Sequence, residues 1–262
     1  MRTVIRRSGA LGDVLMTTPI AAAFKRRGHE VLIDTGSGHA YEGSADASLG
    51  SAQQGDRIID LNLAYERRPH MHAVDAYMAE AGIHDDRTLR FLPRDRGRRI
   101  SGAYVAIHAA RSWANRTLPN DFWREVAARV MAHGRSIVWL GSGGDMQGEV
   151  NVWGRPLPEI AAVIDGAAAF ICSDSALLHL SGCTETPIVG LFTCVRAARR
   201  MPYRHGTMTW RAVAMEADVD CVGCIEELPA PVTHVDCRRG DNLCVRSFDA
   251  ADVARAALSI WR

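Results

Sequence analysis

Three short stretches hold side chains whose types and spacing suit chemistry. In the first, Asp174-Ser175-Ala176-Leu177-Leu178-His179 places a carboxylate, a hydroxyl and an imidazole just after an apolar run and at the start of a predicted helix. The first N–H groups of a helix lack intrahelical partners and the helix dipole is positive there, so such a turn favours an anion, most naturally a nucleotide diphosphate. The same residues also suit a plain N-cap. In the second, Gly9-Ala10-Leu11-Gly12-Asp13 follows a predicted strand, lacks the G-x-G-x-x-G spacing of a dinucleotide fingerprint, and puts a carboxylate where it would repel a pyrophosphate. Asp13 at the mouth of a cleft instead suits a general base acting on a hydroxyl about 3 Å away, with an N-capping aspartate as the competing reading. The third is Cys221, Cys224, Cys237 and Cys244, a C-x2-C-x12-C-x6-C pattern with His234 nearby. Four thiolates at such spacing can close around structural zinc or iron, and free thiols are the alternative.

The elements that must position these turns alternate between strand and helix. Thr3–Arg6 reads as a strand, Val14–Arg27 as a helix that Pro19 begins or kinks, and Val31–Asp34 as the next strand, which together make a β-α-β unit. Gly36–Gly55 reads as loop, Ile58–Leu61 as a strand and His72–Gly82 as a helix. The charge run Arg94–Arg99 is the best linker, so the expected lobes are 1–96 and 97–262. Beyond it the alternation restarts: strands at Tyr104–Ile107, Ser136–Leu140, Ala168–Ile171 and Pro187–Phe192, helices at Asp121–His133 and Leu157–Gly166, and a closing helix at Ser247–Trp261. The reading is an α/β protein of two lobes with glycine-rich turns at the strand ends.

A net charge of +1 argues against a nucleic-acid partner and a strongly anionic surface. Lys25 is the one lysine among 31 basic residues, so lysine chemistry elsewhere is excluded and arginine must serve any anion. No apolar run approaches the roughly 20 residues of a membrane span, and the N-terminus reads as a strand and not as a signal peptide, which places the chain in the cytoplasm. Seven cysteines there are expected as free thiols or metal ligands, with Cys172, Cys183 and Cys194 as small core residues.

Four stretches in register resemble glycosyltransferase family 9, the lipopolysaccharide heptosyltransferases: Ser8–Pro19, His108–Pro119, Leu157–Ile164 and Asp174–Leu180. The resemblance implies a GT-B fold of two Rossmann-like lobes, here with a reduced N-terminal lobe and a Cys-rich C-terminal segment. The acceptor would lie on the first lobe and an ADP-sugar donor on the second. It implies inverting transfer without a catalytic metal, most plausibly of heptose, onto a hydroxyl of a bacterial surface glycan or a related acceptor, with Asp13 as base; the alternatives are a GT-B relative using another nucleotide-sugar, for hexose transfer or epimerisation, and a non-catalytic nucleotide-sugar-binding subunit. Gly9, Leu11 and Gly12 would line the site. His108, Arg111, Arg116, Asp174, Ser175 and Ala176 would hold the donor, with Asp145 near its ribose and His179 as support or as a core histidine. Arg116 occupies the place of the family's lysine, keeping the charge and adding a bidentate fork. The likeness leaves room for peripheral association with the inner face of the inner membrane, for an oligomer, and for a closing helix that packs across the lobes.

Overall fold

The computed structural model describes residues 1–91, 100, 102–109, 113–141, 146, 150–151, 155–228 and 236–261. The linker expected at 94–99, together with Arg111, Asp145 and His234, lies outside the described residues. Among those described, two parallel sheets form. The first has the order β3-β2-β1-β4, built from β1 (Arg2–Arg6), β2 (Glu30–Asp34), β3 (Ser48–Leu49) and β4 (Arg57–Asp60). The second has the order β10-β9-β8-β5-β6-β7, built from β5 (Tyr104–His108), β6 (Ser136–Gly141), β7 (Val150–Asn151), β8 (Ala169–Ser173), β9 (Ile188–Phe192) and β10 (Ala212–Glu216). β5, β8 and β9 are buried along their whole length, as strands covered on both faces must be.

Helices follow from the same local rules. The helix expected from Val14 to Arg27 is two: α1 (Leu11–Leu15) and α2 (Thr18–Arg26), the second opening with Pro19 in its first turn, where a missing N–H costs nothing. α3 spans Ala73–Ala81 and ends on Gly82 in the left-handed conformation. α4 (Asn120–Ala132) buries Trp123, Val126, Ala127 and Val130, the i, i+3, i+4, i+7 stripe of an amphipathic helix. α5 (Leu157–Gly166), α6 (Ala176–Ser181), α7 (Ala197–Arg200) and α8 (Ala250–Ser259) complete the set. α8 does not cross the lobes: it packs on α4 and beside β8 and β9, where Val253, Ala254 and Ala257 join Trp123 and Val126 in one core. Its apolar face is already used up within the second sheet's own layer.

In an open parallel sheet, ligand crevices form outside the carboxyl ends of strands where the winding direction reverses. The first sheet reverses at β1, which lies between β2 and β4; the second reverses at β5, which lies between β6 and β8. The segments leaving β1 and β8 are the two turns that carry Asp13 and Asp174, and they meet. α1 packs against α6 so closely that a Cβ built on Gly12 would come 2.9 Å from His179 Cδ2 and 3.3 Å from Ala176 Cα. A hydrophobic core runs through this contact, from Val14 and Ile20 to Leu177, Leu178 and Phe192. No helix among the described residues is long and apolar enough to cross a membrane.

Gly12→Val tests the contact. Overpacking against a buried ring and backbone costs about 1–3 kcal/mol, which exceeds the few tenths recovered from helix propensity. Thermal or denaturant unfolding should show that loss.

Candidate active site

Asp13 sits in the first turn after β1 with its side chain 18% exposed, and its two oxygens have different work. Oδ2 accepts the Ala10 backbone N–H at 3.2 Å, the capping arrangement. Gly9 makes room for it, since a Cβ there would fall 2.9 Å from that oxygen. Oδ1 accepts the Tyr65 hydroxyl at 2.8 Å and faces two guanidinium groups, Arg7 at 3.5 Å and Arg200 at 3.6 Å. Burial pushes this carboxyl up, but Arg200, Arg7 and the Tyr65 hydrogen bond outweigh it, and the group stays below the usual aspartate range.

Arg7 is itself buried, bound to Glu66 at 2.9 Å and lying near the rings of Tyr65 and Tyr77. Arg200, at the end of α7, lies 4.3 Å from the Tyr65 ring centre. Burial works against both guanidinium charges, yet neighbouring carboxylates and phenols hold both groups firmly protonated. Neither arginine stood out in the sequence. Arg200 lies in the run Arg196-Ala197-Ala198-Arg199-Arg200, where charge spacing alone reads as a solvated face.

On the second sheet, Asp174 is almost fully buried and pairs with Arg116 Nη1 at 3.0 Å. Arg116 reaches back from the segment after β5 and covers the Trp113 ring at 4.0 Å. Ser175 occupies the N-cap position of α6 without making a cap hydrogen bond; its hydroxyl meets His108 Nδ1 at 3.1 Å. The capping reading therefore does not account for the Ser175 side chain. His179 Nε2 is 4.0 Å from Asp174 Oδ1, and the imidazole is pushed down to about 4, chiefly by burial and against the pull of Asp174. Among the described residues, the buried atoms His179 Nδ1, Arg116 Nε and Ser173 Oγ have no hydrogen-bond partner. Leu11 packs its side chain on the core.

A cleft of about 90 Å³ is lined by residues of both lobes; Tyr65 and Arg200, which contact Asp13, line it, whereas Asp13, Arg116, Asp174 and Ser175 do not. Tyr65, Glu66 and Met71 line one wall and Trp113, Arg199 and Arg200 the other. The lobes are also joined by hydrogen bonds: His72 Nε2 lies 2.9 Å from the Met201 carbonyl, the Tyr203 hydroxyl donates to Asp75 at 3.0 Å, and Arg199 donates to the His70 carbonyl.

None of the seven cysteines is in a disulfide. Cys221, Cys224 and Cys237 surround a second cavity of about 270 Å³ with Arg238 and Arg239, and the Cys244 thiol lies within electrostatic reach of all three. Burial, followed by these neighbouring thiols, pushes Cys244 up to about 11. Among the described residues no three ligands converge closely enough to grip an ion as they stand. Cys172 and Cys194 are buried as expected of core residues, and Cys183 is half-buried.

The sequence profile of the family described as Glycosyltransferase family 9 (heptosyltransferase) matches residues 76–226. No curated protein sequence matches the chain. Solved structures do. TibC, an iron-containing dodecameric glycosyltransferase from enterotoxigenic E. coli, is 16% identical with a TM-score of 0.76, over 99% of this chain and 78% of that one. The family 9 glycosyl transferase from Veillonella parvula is 14% identical with a TM-score of 0.76, over 99% and 96%. E. coli heptosyltransferase WaaC with ADP is 14% identical with a TM-score of 0.64, over 99% and 100%. Such likenesses establish a shared GT-B fold.

Two buried histidines make the site acid-sensitive. His179 is pushed down to about 4 and His72 to about 3, both chiefly by burial. The unfolded chain binds these protons near pH 6.5, so stability is complete above that pH. It is lost as pH falls towards the folded values, by up to about 1.4 kcal/mol per unit per histidine. Melting temperature should drop steeply from pH 6.5 to 4.5, and His72→Gln should flatten the slope.

Proposed function

Since the chain belongs to glycosyltransferase family 9, we propose that it transfers a heptose from an ADP-activated donor to a hydroxyl of a bacterial surface glycan, with inversion at the anomeric carbon. TibC has been solved in complex with ADP-D-β-D-heptose, at 16% identity and a TM-score of 0.77 over 99% of this chain and 76% of that one, which supports this donor. In this reading the boundary between the lobes lies near 96/97, the first lobe carries the acceptor, and the second carries the donor. The enzyme works in the cytoplasm, at the membrane face where such an acceptor is presented.

The observation that carries the proposal is the pairing of the two turns at the reversal points of the two sheets. Asp13 is the base: its carboxylate is ionised, and its Oδ1 accepts the hydroxyl of Tyr65, which lines the cleft. It takes the acceptor proton as the acceptor oxygen attacks the anomeric carbon. The turn at Asp174, Ser175 and Ala176, with His108 and Arg116 beside it, receives the diphosphate. The unpartnered Nε of Arg116 supplies a donor there while its Nη1 stays on Asp174. His179 serves as a neutral spacer between the two carboxylates. Charge developing on the leaving diphosphate is met by arginine and backbone N–H groups, without a divalent metal. Gly9 and Gly12 act by allowing close approach, and the Leu11 side chain by anchoring α1.

Cys221, Cys224, Cys237 and Cys244 are proposed to hold structural zinc or iron. The donor set suits such an ion: the Cys221, Cys224 and Cys237 thiols border one cavity, Cys244 lies within electrostatic reach of all three, and TibC is described as iron-containing. Such an ion would tie the 221–244 segment together and take no part in transfer.

Two measurements check these assignments. Asp13→Asn should lower ADP release from ADP-heptose, with water as acceptor, by about 10²-fold or more, and leave ADP binding by calorimetry within about threefold; undiminished turnover refutes the base. Elemental analysis of purified protein should find close to one equivalent of zinc plus iron, and alanine at Cys224 should abolish it.

A further inference from the structure

Arg200 is placed unlike its neighbours. The carboxylates nearest its neighbours lie within the same lobe, Glu216 at 3.8 Å from Arg196 and Glu226 at 3.4 Å from Arg199, although Arg199 also donates to the His70 carbonyl of the other lobe. Arg200 instead crosses to the other lobe, where its Nη1 faces Asp13 and its guanidinium covers Tyr65, the side chain that hydrogen-bonds Asp13. Arg7 already has Glu66 at 2.9 Å, and Arg116 has Asp174 at 3.0 Å. Asp13 is therefore shared between Arg7 at 3.5 Å and Arg200 at 3.6 Å, and Arg200, which has no carboxylate closer than Asp13 among its ion pairs, also feels the charge of Asp174. Their separation of 3.6 Å makes an ion pair without a tight hydrogen bond, and Arg200 also lines the cleft.

We propose that Arg200 is a positioning residue for transfer: arriving from the donor-side lobe, it keeps Asp13 ionised, then faces the departing diphosphate once Asp13 is protonated. The inference rests on the reading of Asp13 as the base. The acceptor O–H proton passes to Asp13, and the acceptor oxygen's electron pair forms the bond to the anomeric carbon. The bond from that carbon to the phosphate oxygen breaks, and its pair leaves with the nucleoside diphosphate, which gains one negative charge. The total charge around Arg200 is unchanged while its counter-ion moves from one lobe to the other. No counter-ion is created or lost in a poorly solvated site, so little reorganisation is needed there.

The groups facing Asp13 are Arg7 after β1, Tyr65 after β4, Tyr77 on α3, His179 on α6 and Arg200 on α7, with Glu66 behind Arg7 and Asp174 within reach of Arg200. The test follows the Asp13 carboxyl by carbon-13 NMR titration, with Asp13→Asn assigning the signal. Neutral Arg200→Gln and Arg200→Met should each raise its midpoint by about one pH unit, a tenfold change in the ionisation equilibrium, while Arg200→Lys stays within about a third of a unit of wild type. At pH 8, where Asp13 is ionised in every variant, ADP release from ADP-heptose should still fall at least about tenfold in kcat for Arg200→Gln, with KM within about threefold and Arg200→Lys recovering most of the rate. An unmoved midpoint in either folded neutral variant overturns the control of Asp13, and an undiminished kcat at pH 8 overturns the role at the diphosphate. Failure of the base reading shows separately, as full turnover by Asp13→Asn.

Discussion

A carboxylate can remain charged in a nearly closed contact between two lobes only if cations and donors enter with it. Desolvating an ion costs several kcal/mol even after relaxation, and Asp13 meets that cost from both sides. Arg7, Tyr65 and the Ala10 N–H come from its own lobe, and Arg200 comes from the other. Each cation then needs its own balance, which explains Glu66 beside Arg7 and the burial of Asp174 beside Arg116. His179 lies among these charges as a neutral imidazole, because burial and two nearby guanidinium groups disfavour protonation more than Asp174 and Asp13 favour it. The polar cluster is complete only when the lobes are together.

Backbone geometry makes that assembly possible. A parallel sheet leaves the space beyond its carboxyl ends uncovered where the winding reverses, and each sheet here presents one such end to the other. Closing the distance requires a helix surface with no side chain at the contact, which Gly12 provides against Ala176 and His179. Farther out, the His72–Met201 and Asp75–Tyr203 hydrogen bonds hold α3 to the segment after α7, so the residue that delivers Arg200 is anchored from both lobes.

The family match and the site meet at an instructive boundary. The profile covers 76–226, which includes Arg116, Asp174 and Arg200 but not Asp13. The likeness to solved structures extends over 99% of the chain and brings the first turn into the same GT-B frame. The half that carries the second sheet is therefore the part marked by sequence, and the half that carries Asp13 is joined to it through fold and contact.

From the sequence alone, the strand–turn–helix rhythm, the two turns at Asp13 and Asp174, and the amphipathic face of α4 were all readable, because each depends on residues near one another along the chain. Pro19 marked the start of α2 for the same reason. The edge strands β3 and β10 were not legible, since a short strand such as Ser48–Leu49 owes its existence to a neighbour and has no periodicity of its own. α8 was legible as a helix, but its packing on α4 depended on which core still had apolar surface to cover. Arg7 and Arg200 were hidden among many arginines, and a charge becomes distinctive only when its counter-ion is known. For Arg200 that counter-ion lies 187 positions away at Asp13, across a contact that only the tertiary structure creates.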